Sequence, residues 1–294
     1  MIQDIMPKKL FNEYHVGETP RNGSVVLFFH GKEHRRLLAL KREKEIHFPL
    51  WEEIPAKIQE DGHFQYLFSI DSRRFFLLTG ADEEKMAAES VIPEGWSGAY
   101  AYYTLFDLRA GHAGTKPQMF AFMTALQLAG WYRDNRFCGT CGSPTVHSDR
   151  ERALCCPKCG RVIYPRVVPA VIVAVTNGDM IVLTRYAGRL GSQYALIAGF
   201  TEIGETLEET VAREVMEEVG LKVKNIRYYK SQPWGVADDI LAGFYCEVDG
   251  SKEITLDRNE LKEARWFRRE DIQLQSDDFS LTNEMMMEFK EGRQ

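Results

Sequence analysis

Residues 199–221 read GFTEIGETLEETVAREVMEEVGL, and seven of these side chains are acidic. Four of them stand at spacings that suit one site: Glu205, Glu214, Glu217 and Glu218. Like charges on neighbouring helical turns repel, so this crowding is unfavourable unless a cation lies among the carboxylates. Hard divalent cations prefer oxygen ligands. The stretch therefore predicts a site for Mg²⁺ or Mn²⁺ on a loop followed by a helix.

The predicted helix begins near Thr206, because Thr206 followed by Glu209 has the form of a capping box. At about 100° per residue, three valines form one buried stripe: Val211, Val215 and Val219. Gly220 is expected to end the helix in the left-handed conformation that glycine adopts easily.

Three carboxylates of this helix are expected to share an arc of roughly 100° beside the apolar stripe: Glu214, Glu217 and Glu218. A solvated charged face, which is common on surface helices, accounts for Glu208 and Glu209. It does not account for the spacing of the whole stretch, which favours a metal site.

The 294-residue chain is long enough for about two domains, and 44% hydrophobic and 27% charged residues are typical of a globular protein. A net charge of −6 argues against nonspecific binding of nucleic acid over a large surface, although it is compatible with a local basic patch. The longest apolar run, residues 170–175, is far shorter than the ~20 residues of a membrane span. The first residues lack the apolar run of a secretory signal. We therefore expect a cytoplasmic protein without a membrane partner.

Residues 1–115 contain five apolar or aromatic runs that predict strands: Ser24–Phe29, Leu37–Leu40, Phe64–Ile70, Phe75–Leu78 and Ala99–Leu105. Glycine and proline separate these runs, at Gly23, Gly31, Gly62, Gly80, Pro93 and Gly95. The paired Glu83 and Glu84 are interpreted as a solvated turn or helix start. A helix is predicted for Thr115–Tyr132, with Thr115 as its cap and Pro117 in its first turn.

Two C-x2-C pairs are separated by 14 residues: Cys138 with Cys141, and Cys156 with Cys159. Four thiolates at such spacing form a closed tetrahedral zinc site, and a site without an open coordination position is structural. Cysteines of a cytoplasmic protein are better explained as metal ligands or free thiols than as disulfides. Three further candidate ligands are interpreted as lying outside the zinc site: Cys155, Cys246 and His147.

After the cysteines, Tyr164–Arg166 is expected to link to a last domain, since Pro165 and Pro169 fix extended backbone. Residues 170–176 are β-branched or small and predict a buried strand. A hairpin turn is predicted at residues 177–179, followed by a return strand at 180–184 and a third strand at 194–197.

The acidic stretch resembles the Nudix box, whose fixed positions are all present: Gly199, Glu205, Arg213, Glu214, Glu217, Glu218 and Gly220, with apolar Val215 and Leu221. The resemblance implies an α/β/α sandwich that hydrolyses a nucleoside diphosphate linked to another moiety. It also implies that divalent ions bind Glu214, Glu217 and Glu218, bridge phosphate oxygens and activate a water. Arg213 would hold the glutamates in place by salt bridges, and Glu217 is our candidate for the general base.

The resemblance extends beyond the box. A four-cysteine zinc unit, then YPR, LIAGFTEIGE and SQPW, is similar in order to the NADH pyrophosphatase family of Nudix hydrolases. The match spans about residues 131–267, and the preceding residues resemble the family only in length and placement. The resemblance implies an α+β protein with an N-terminal α/β domain at residues 1–132, a zinc ribbon at 133–166 and a Nudix domain at 167–294. A homodimer is implied as well.

The same resemblance assigns further site residues. Tyr164 matches an aromatic residue that stacks on a base, and Ala198 matches a backbone carbonyl of the metal shell. Glu260 matches a further metal-binding glutamate beside the substrate. Phe200 and the segment 232–239 would line the nucleotide site, with three contact residues: Gln232, Trp234 and Asp239.

One segment departs from the family signature, which continues SQPWPFPxS where this chain reads SQPWGVADD at residues 231–239. Asp238 and Asp239 add negative charge where phosphates or a ribose are expected. Asp239 would either accept a hydrogen bond from a ribose hydroxyl or repel a dinucleotide. The change does not affect the predicted zinc site, fold or hydrolysis. It means that more than one nucleotide is compatible with the sequence of the site.

The leading hypothesis is hydrolysis of NADH or NAD to nicotinamide mononucleotide and AMP, with structural Zn²⁺ and catalytic Mg²⁺ or Mn²⁺. The hypothesis extends to hydrolysis of the NAD cap of RNA. Four arginines are the candidate basic patch that would bind the RNA: Arg161, Arg166, Arg185 and Arg189. The alternatives are the same reaction on ADP-ribose or a diadenosine polyphosphate, a catalytically silent nucleotide-binding regulator, and a zinc-ribbon nucleic-acid adaptor. The complete set of glutamates argues against the regulator, and the net charge argues against the adaptor.

Overall fold

Residues 1–30, 36–79, 100–187, 193–276 and 278–294 are described by the computed structural model. They divide into two units, Asp4–Arg166 and Val167–Gln294, and Met1–Gln3 belong to the second of these. Several predicted features lie outside the described residues: Gly31, Gly80, Glu83, Glu84, Pro93, Gly95 and Arg189. No helix within the described ranges combines the length and apolar character that a membrane span requires.

The unit of residues 4–166 begins with five strands and a helix: β1 (Leu10–Phe11), β2 (Val25–Leu27), β3 (Phe29–His30), β4 (Arg36–Arg42), β5 (Glu45–His47) and α1 (Ala56–Asp61). Three further strands and two helices follow: β6 (His63–Ile70), β7 (Arg73–Thr79), β8 (Tyr100–Tyr103), α2 (Leu105–Ala110) and α3 (Lys116–Asp134). One sheet has the order β1-β6-β7-β2, and a second has the order β3-β4-β5 with β8 also paired to β4.

The strands predicted in this unit are present in the described residues, with two corrections. The predicted strand Ser24–Phe29 is interrupted at Phe28 and forms β2 and β3, which belong to different sheets. Strand β8 ends at Tyr103 rather than Leu105, because Thr104 caps α2 and its side chain accepts a hydrogen bond from the backbone N–H of Asp107 at 3.0 Å. The predicted helix at 115–132 is confirmed as α3, which has Pro117 in its first turn. Helix α3 is buried on most of its circumference, which explains its weak amphipathic pattern.

The zinc-ribbon residues add a three-stranded sheet to the same unit. Its strands are β9 (Val146–His147), β10 (Leu154–Cys155) and β11 (Val162–Ile163), and β10 lies in the middle. Each strand has two residues, so the sheet contributes little hydrogen bonding of its own and depends on the cysteine cluster for its stability.

The second unit contains a mixed six-stranded sheet with one helix on each face. Its elements are β12 (Val168–Asn177), β13 (Met180–Tyr186), β14 (Ile197–Phe200), α4 (Leu207–Val219), β15 (Val223–Trp234), β16 (Asp239–Val248), β17 (Leu261–Arg268) and α5 (Leu281–Lys290). The strand order is β15-β16-β12-β13-β17, and β14 pairs with β12 beside β13. Strands β12 and β16 are parallel, whereas the other pairs are antiparallel.

Strand β12 supplies both layers of the core. Its valines at 171, 173 and 175 pack with the stripe of α4, whereas Ile172 and Ala174 pack with α5 on the opposite face. The stripe predicted from Val211, Val215 and Val219 is fully buried. The α+β class and the α/β/α sandwich are therefore confirmed.

The third predicted strand of this unit needs a correction. Residues 194–197 were expected to pair, but β14 spans Ile197–Phe200, and Ala195 contributes only an isolated bridge to Thr184. Pairing of Ala170 with Phe200 sets this register. It carries the strand directly into the acidic loop and fixes Gly199 within the sheet.

The first three residues of the chain pack with the second unit. The backbone N–H of Ile2 donates to the carbonyl of Phe279 at 2.9 Å, and Ile2 is fully buried. The side chain of Gln3 donates to the carbonyl of Ser231 at 3.1 Å. The sequence contained no signal for this contact.

Candidate active site and zinc centre

Helix α4 begins and ends as its sequence predicts. Thr206 accepts a hydrogen bond from the backbone N–H of Glu209 at 3.2 Å, and the Glu209 carboxylate accepts from the N–H of Thr206 at 2.7 Å. Gly220 has φ of 70°, and its N–H closes the last turn on Met216. Because both ends are fixed, the direction in which each glutamate side chain leaves the helix is fixed as well.

Arg213 gathers the acidic loop onto the helix. Its guanidinium donates two hydrogen bonds to the Glu205 carboxylate, at 2.6 and 3.0 Å, and one to the carbonyl of Phe200 at 2.9 Å. Its Nη1 donates to Glu214 at 2.7 Å and to Glu217 at 3.0 Å. Bidentate pairing of this kind combines energy with geometric specificity. Arg213 therefore joins the loop, strand β14 and the helix.

The pairing changes the ionisation of Glu205. Hydrogen bonding from Arg213 is the largest cause that lowers the pKa of Glu205, to about 2. The backbone N–H of Glu202 and the hydroxyl of Thr210 lower the same pKa further. Glu205 is consequently an anion at neutral pH and anchors Arg213 rather than exchanging protons.

Glu214 lies against the backbone of Gly199. A Cβ atom built on Gly199 would collide with the carboxylate carbon and both carboxylate oxygens of Glu214. The fixed glycine of the box is therefore required here for space. The Glu214 side chain is buried, and burial is the largest cause that raises its pKa, while Arg213 opposes the shift.

Glu218 is the most buried carboxylate of the site, with 1% of its surface exposed. Neither of its oxygens has a hydrogen-bond partner among the described residues. Burial is the largest cause that raises its pKa, to about 8, and the charges of Glu214 and Glu260 raise it further. The backbone N–H of Ala198 acts in the opposite direction. A buried carboxylate without a hydrogen-bond partner is costly when it is ionised, so this position would favour a compensating positive charge.

Glu217 differs from its neighbours, because its side chain is exposed and its one hydrogen bond in the described structure comes from Arg213. Glu260 is exposed too, yet its charge acts on both Glu214 and Glu218. The backbone carbonyl of Glu260 accepts from Ala187 at 2.8 Å, which fixes the start of β17.

The carboxylate set fits a divalent ion in donor type and charge. Among the described residues, however, only the four zinc-ribbon cysteines bring three or more candidate ligand atoms within 4.8 Å of one another. The carboxylates thus share one face of α4 without converging to metal-binding distances. Ala198, whose carbonyl the resemblance adds to the metal shell, lies half-buried in β14 between Ile197 and Gly199.

The cysteines do converge. The Sγ atoms of Cys138 and Cys159 are 3.6 Å apart, and those of Cys141 and Cys156 are 3.5 Å apart. Four ligands at the usual Zn–S length stand about 3.8 Å apart in a tetrahedron. The chain of backbone N–H groups around Cys138, chiefly that of Thr140, lowers the pKa of its thiol to about 6, which favours the metal-binding thiolate.

The two cysteine pairs adopt the same local structure. The N–H of Cys138 donates to Ser143 and its carbonyl accepts from Gly142, just as Cys156 donates to Arg161 and accepts from Gly160. Both glycines have positive φ, at 69° and 73°, so each C-x2-C-G segment forms one tight knuckle. Cys155 and Cys246 lie outside the cluster, as predicted, and His147 is not part of it either.

The remaining predicted site residues divide into exposed and internal groups. Phe200 is 51% exposed beside the acidic loop, and Tyr164 is 56% exposed in the other unit, where its hydroxyl donates to Glu151 at 2.9 Å. Trp234 ends β15 opposite Asp239, and both Asp238 and Asp239 are buried. Asp238 has φ of 63°, so the GVAD segment forms a tight left-handed turn.

Gln232 has a structural role. Its side chain is fully buried, and its Nε2 donates to Gln3 at 3.1 Å and to the carbonyl of Phe279 at 2.7 Å. Its Oε1 accepts from the backbone N–H of Leu281 at 2.8 Å, at the start of α5. The amide is thus fully engaged within its own unit and presents no atom to a nucleotide.

Of the arginines of the predicted basic patch, Arg161 and Arg166 belong to the unit of residues 4–166, Arg185 belongs to the second unit, and Arg189 lies outside the described residues. Arg161 donates to the hydroxyl of Thr140 at 2.6 Å within the zinc ribbon. Arg185 belongs to the second unit, where its guanidinium stacks 4.0 Å from the ring of Tyr194 and lies 3.7 Å from Glu263. Arg185 therefore has a local partner and carries no unbalanced charge.

Two site residues were missed in the sequence. The hydroxyl of Thr210 lies 3.0 Å from both Glu205 and the carbonyl of Thr206, so it supports the anchor of Arg213. The charge of Asp257 contributes to the raised pKa of Glu218. A polar β-branched residue beside the valine stripe was the available signal for Thr210, and nothing in the local pattern pointed to Asp257.

Comparison with known proteins agrees with this geometry. Residues 166–288 match the NUDIX domain model, and residues 133–164 match the NADH pyrophosphatase zinc ribbon domain model. Among curated proteins, "NAD-capped RNA hydrolase NudC" of Salmonella heidelberg (strain SL476) is 46% identical over 149 residues. The protein of the same description from Citrobacter koseri (strain ATCC BAA-895 / CDC 4225-83 / SGSC4696) has the same identity over the same length. Both alignments cover 51% of this chain and 58% of the relative.

The chain thus spans under two thirds of the length of the curated relatives that it matches. Among solved structures, a NUDIX hydrolase from Nitrosomonas europaea is 22% identical, with a TM-score of 0.47, and covers 54% of this chain and 92% of its own. The family predicted from the acidic stretch and the four cysteines is confirmed by the two domain matches.

Proposed function

The chain carries a Nudix domain at residues 166–288 behind an NADH pyrophosphatase zinc ribbon at residues 133–164, and from this premise we propose that it hydrolyses the pyrophosphate bond of NADH or NAD. The products would be nicotinamide mononucleotide and AMP. The observation that carries the proposal is the buried, unpartnered carboxylate of Glu218 beside Glu214, in a helix that Arg213 ties to the acidic loop. Such a site is stable at neutral pH when a cation compensates its charge.

Mg²⁺ or Mn²⁺ is the proposed catalytic ion, held by Glu214, Glu217, Glu218 and Glu260 with the carbonyl of Ala198. The ion would neutralise phosphate charge and lower the pKa of a bound water. Each protein group has a separate task. Glu218 and Glu214 would supply buried negative charge, Arg213 holds the carboxylates of Glu214 and Glu217, and the exposed Glu217 is the proposed general base.

The nucleotide contacts are part of the same proposal. The exposed ring of Phe200 offers a stacking surface beside the acidic loop, and Trp234 and Asp239 lie where β15 turns into β16. Tyr164 is proposed as a second aromatic contact with a base, which its exposed ring supports. The relatives are described as NAD-capped RNA hydrolases, and we extend the proposed substrates to the NAD cap of RNA.

A second candidate function is the same reaction on ADP-ribose or a diadenosine polyphosphate. Its support is the segment after Trp234, where Asp238 and Asp239 bring two buried carboxyl groups into a tight turn. Negative charge there disfavours a phosphate close by and favours a hydroxyl donor such as a ribose. A silent regulator is a weaker candidate, because every glutamate of the box is retained.

A substrate panel tests the proposal. The zinc-loaded protein would be assayed with Mg²⁺ or Mn²⁺ against NADH, NAD, NAD-capped RNA, ADP-ribose and a diadenosine polyphosphate, and kcat/KM compared. We expect NADH or NAD-capped RNA to rank first and Glu217→Gln to lose about 10²–10⁴-fold in kcat, the contribution of a general base. A higher kcat/KM for ADP-ribose would select the second candidate, and tight binding without turnover would select the regulator.

The cytoplasmic location and the homodimer are proposals too. None of the six cysteines, all of which lie in the described residues, forms a disulfide, which suits a reducing compartment. Light scattering of the purified chain would test the dimer, and a monomer at micromolar concentration would contradict it.

A further inference from the structure

A polar cavity of about 300 Å³ lies in the unit of residues 4–166. It is lined by residues 21–24 and 72–74, the two segments that lead into the parallel strands β2 and β7. Val25 pairs with Phe75, so the ends of the two segments stand side by side. Both segments lie outside the domain matches, which begin at residue 133.

The cavity is rich in guanidinium groups. Arg21, Arg73 and Arg74 all line it. Arg74 pairs with Glu18 at 3.2 Å, whereas Arg21 and Arg73 are exposed and form no ion pair within the described ranges. Two arginines that form no ion pair with a described residue therefore stand at one cavity, where their guanidinium groups can contact an anion.

The nearby carboxylates are engaged elsewhere. One oxygen of Glu52 accepts from the backbone N–H of Gly23 at 2.8 Å. One oxygen of Asp71 accepts from the backbone N–H of Lys9 at 2.9 Å. These bonds hold the two acids on the backbone of the turns, so neither forms an ion pair with Arg21 or Arg73.

The lining also carries neutral donors in a fixed frame. The turn at residues 21–24 is closed by a bond from the N–H of Ser24 to the carbonyl of Arg21 at 2.8 Å, and Gly23 has φ of 84°. The Ser24 hydroxyl accepts from the N–H of Arg21 at 3.1 Å and keeps its own proton to donate. The hydroxyl of Ser72 and the amide of Asn22 add further donors. Donors that are held in place before binding lose little entropy on binding.

The size of the cavity limits its ligand. Sites for whole small molecules measure roughly 300–1,000 Å³, so this cavity is at the lower end of the range. It suits a phosphate group with part of a sugar rather than a dinucleotide. Arginine is the side chain best matched to phosphate oxygens, because its planar fork donates two parallel hydrogen bonds.

We propose that this cavity binds a phosphate of an RNA chain, with Arg21 and Arg73 as its charged contacts. The assignment to RNA rests on the proposed action on NAD-capped RNA, in which the nucleotides after the cap supply phosphodiesters that free NADH lacks. The N-terminal unit would thereby hold the RNA body, and the Nudix unit would cut the cap.

The test measures RNA binding directly and does not require turnover. Fluorescence anisotropy would follow a labelled single-stranded RNA bound to the zinc-loaded full chain across a range of salt concentrations. Three proteins would be compared with the wild type: Arg21→Ala/Arg73→Ala, Arg21→Lys/Arg73→Lys, and the control Lys222→Ala/Lys252→Ala. The control removes the same charge from exposed positions of the other unit. Circular dichroism melting would confirm that each variant is folded.

We expect the arginine-to-alanine variant to bind RNA about tenfold more weakly, and its slope of log K against log[salt] to fall by about 0.7, the contribution of the one single-strand phosphate that the two arginines contact. The lysine variant should keep most of the slope, and the control should match the wild type. Equal losses in the alanine variant and the control would overturn the proposal. An unchanged slope in the alanine variant would overturn it as well.

A second measurement separates RNA from free phosphate. Inorganic phosphate would be titrated at constant ionic strength while the side-chain Nε–H signals of Arg21 and Arg73 are followed by NMR. Shifts with RNA at concentrations where phosphate produces none support an RNA site. Saturation by submillimolar phosphate, with RNA binding no tighter, overturns the RNA assignment. Failure of NADH hydrolysis alone would contradict the proposed function and leave these binding results interpretable.

Discussion

The carboxylate of Glu214 occupies the space in which a side chain at Gly199 would begin. The two residues belong to different elements, strand β14 and helix α4, so the glycine sets how closely the acidic helix approaches the sheet. The fixed glycine of the box is thereby connected to the position of the Glu214 carboxylate.

Gly199→Ala is expected to displace Glu214 and to lower kcat/KM by about 10²-fold, the loss that a misplacement of about 1 Å can cause. Titration with Mn²⁺ should show weaker binding, whereas melting should show a folded protein. Gly139→Ala is the matched control, because a Cβ at that position meets no atom within 4 Å. Wild-type activity in Gly199→Ala would show that the approach of Glu214 to β14 is irrelevant to catalysis.

Arg213→Lys should lose the simultaneous hydrogen bonds to Glu205, Glu214 and the carbonyl of Phe200. A lysine ammonium is a compact donor and cannot reproduce the planar, forked geometry of the guanidinium group. We expect kcat/KM to fall by about 10²-fold while the fold persists. Arg185→Lys serves as the control, since its ion pair with Glu263 is long and lies on the other face of the sheet. Equal activity of the two variants would rule out a positioning role for Arg213.

The raised pKa of Glu218 should make the stability of the protein depend on pH when the protein holds zinc but no Mg²⁺ or Mn²⁺. Its folded pKa of about 8 lies above the ordinary value of 4.5, so its contribution is fully present below about pH 4.5 and is lost as pH rises through 8. The free energy of unfolding should therefore fall between pH 5 and 8, by at most about 1.4 kcal/mol per pH unit from this group.

Glu218→Gln should flatten that dependence, because an amide does not ionise. Mn²⁺ at saturating concentration should remove it in the wild type by binding the ionised form. Urea denaturation at several pH values would measure both effects. If wild type and Glu218→Gln show the same dependence of stability on pH, Glu218 is not a buried acid with a raised pKa.

Cys138→Ser should remove zinc and lower the melting temperature, since metal binding supplies folding energy to a ribbon whose strands have two residues each. Zinc content measured by atomic absorption should fall from about one ion per chain to nearly none. Cys155→Ser is a close control, because Cys155 adjoins the ligand Cys156 and lies outside the cluster. Equal zinc loss in both variants would contradict the assigned ligand set.

The local features of the site could be predicted from the sequence because each depends on neighbours in the chain. The cap at Thr206, the end at Gly220 and the valine stripe follow from helix geometry. The zinc ligands follow from the turn that a C-x2-C-G segment makes. The start of β14 is set by its pairing with another strand of the sheet. Local propensity therefore predicted this start three residues too early.

Long-range contacts were beyond the sequence pattern. The SQPW motif predicted that Gln232 contacts the nucleotide. In the structure its side-chain amide is hydrogen-bonded to Gln3, Phe279 and Leu281, which are distant in the chain. The convergence of Arg21 with Arg73 depends on the parallel pairing of β2 with β7 and has no periodic signature. Such features arise from topology, which a single sequence determines only through the whole fold.

The docking of Met1–Gln3 onto the second unit means that the chain passes between its two units twice, at residues 3–4 and at 166–167. The segment 4–166 is therefore an insertion that is anchored at both of its ends. When it unfolds while the other unit stays folded, it forms a closed loop and gains less entropy than a free tail would. One proteolytic cut after Arg166 would leave the two units joined by the buried side chain of Ile2 and the hydrogen bonds around it.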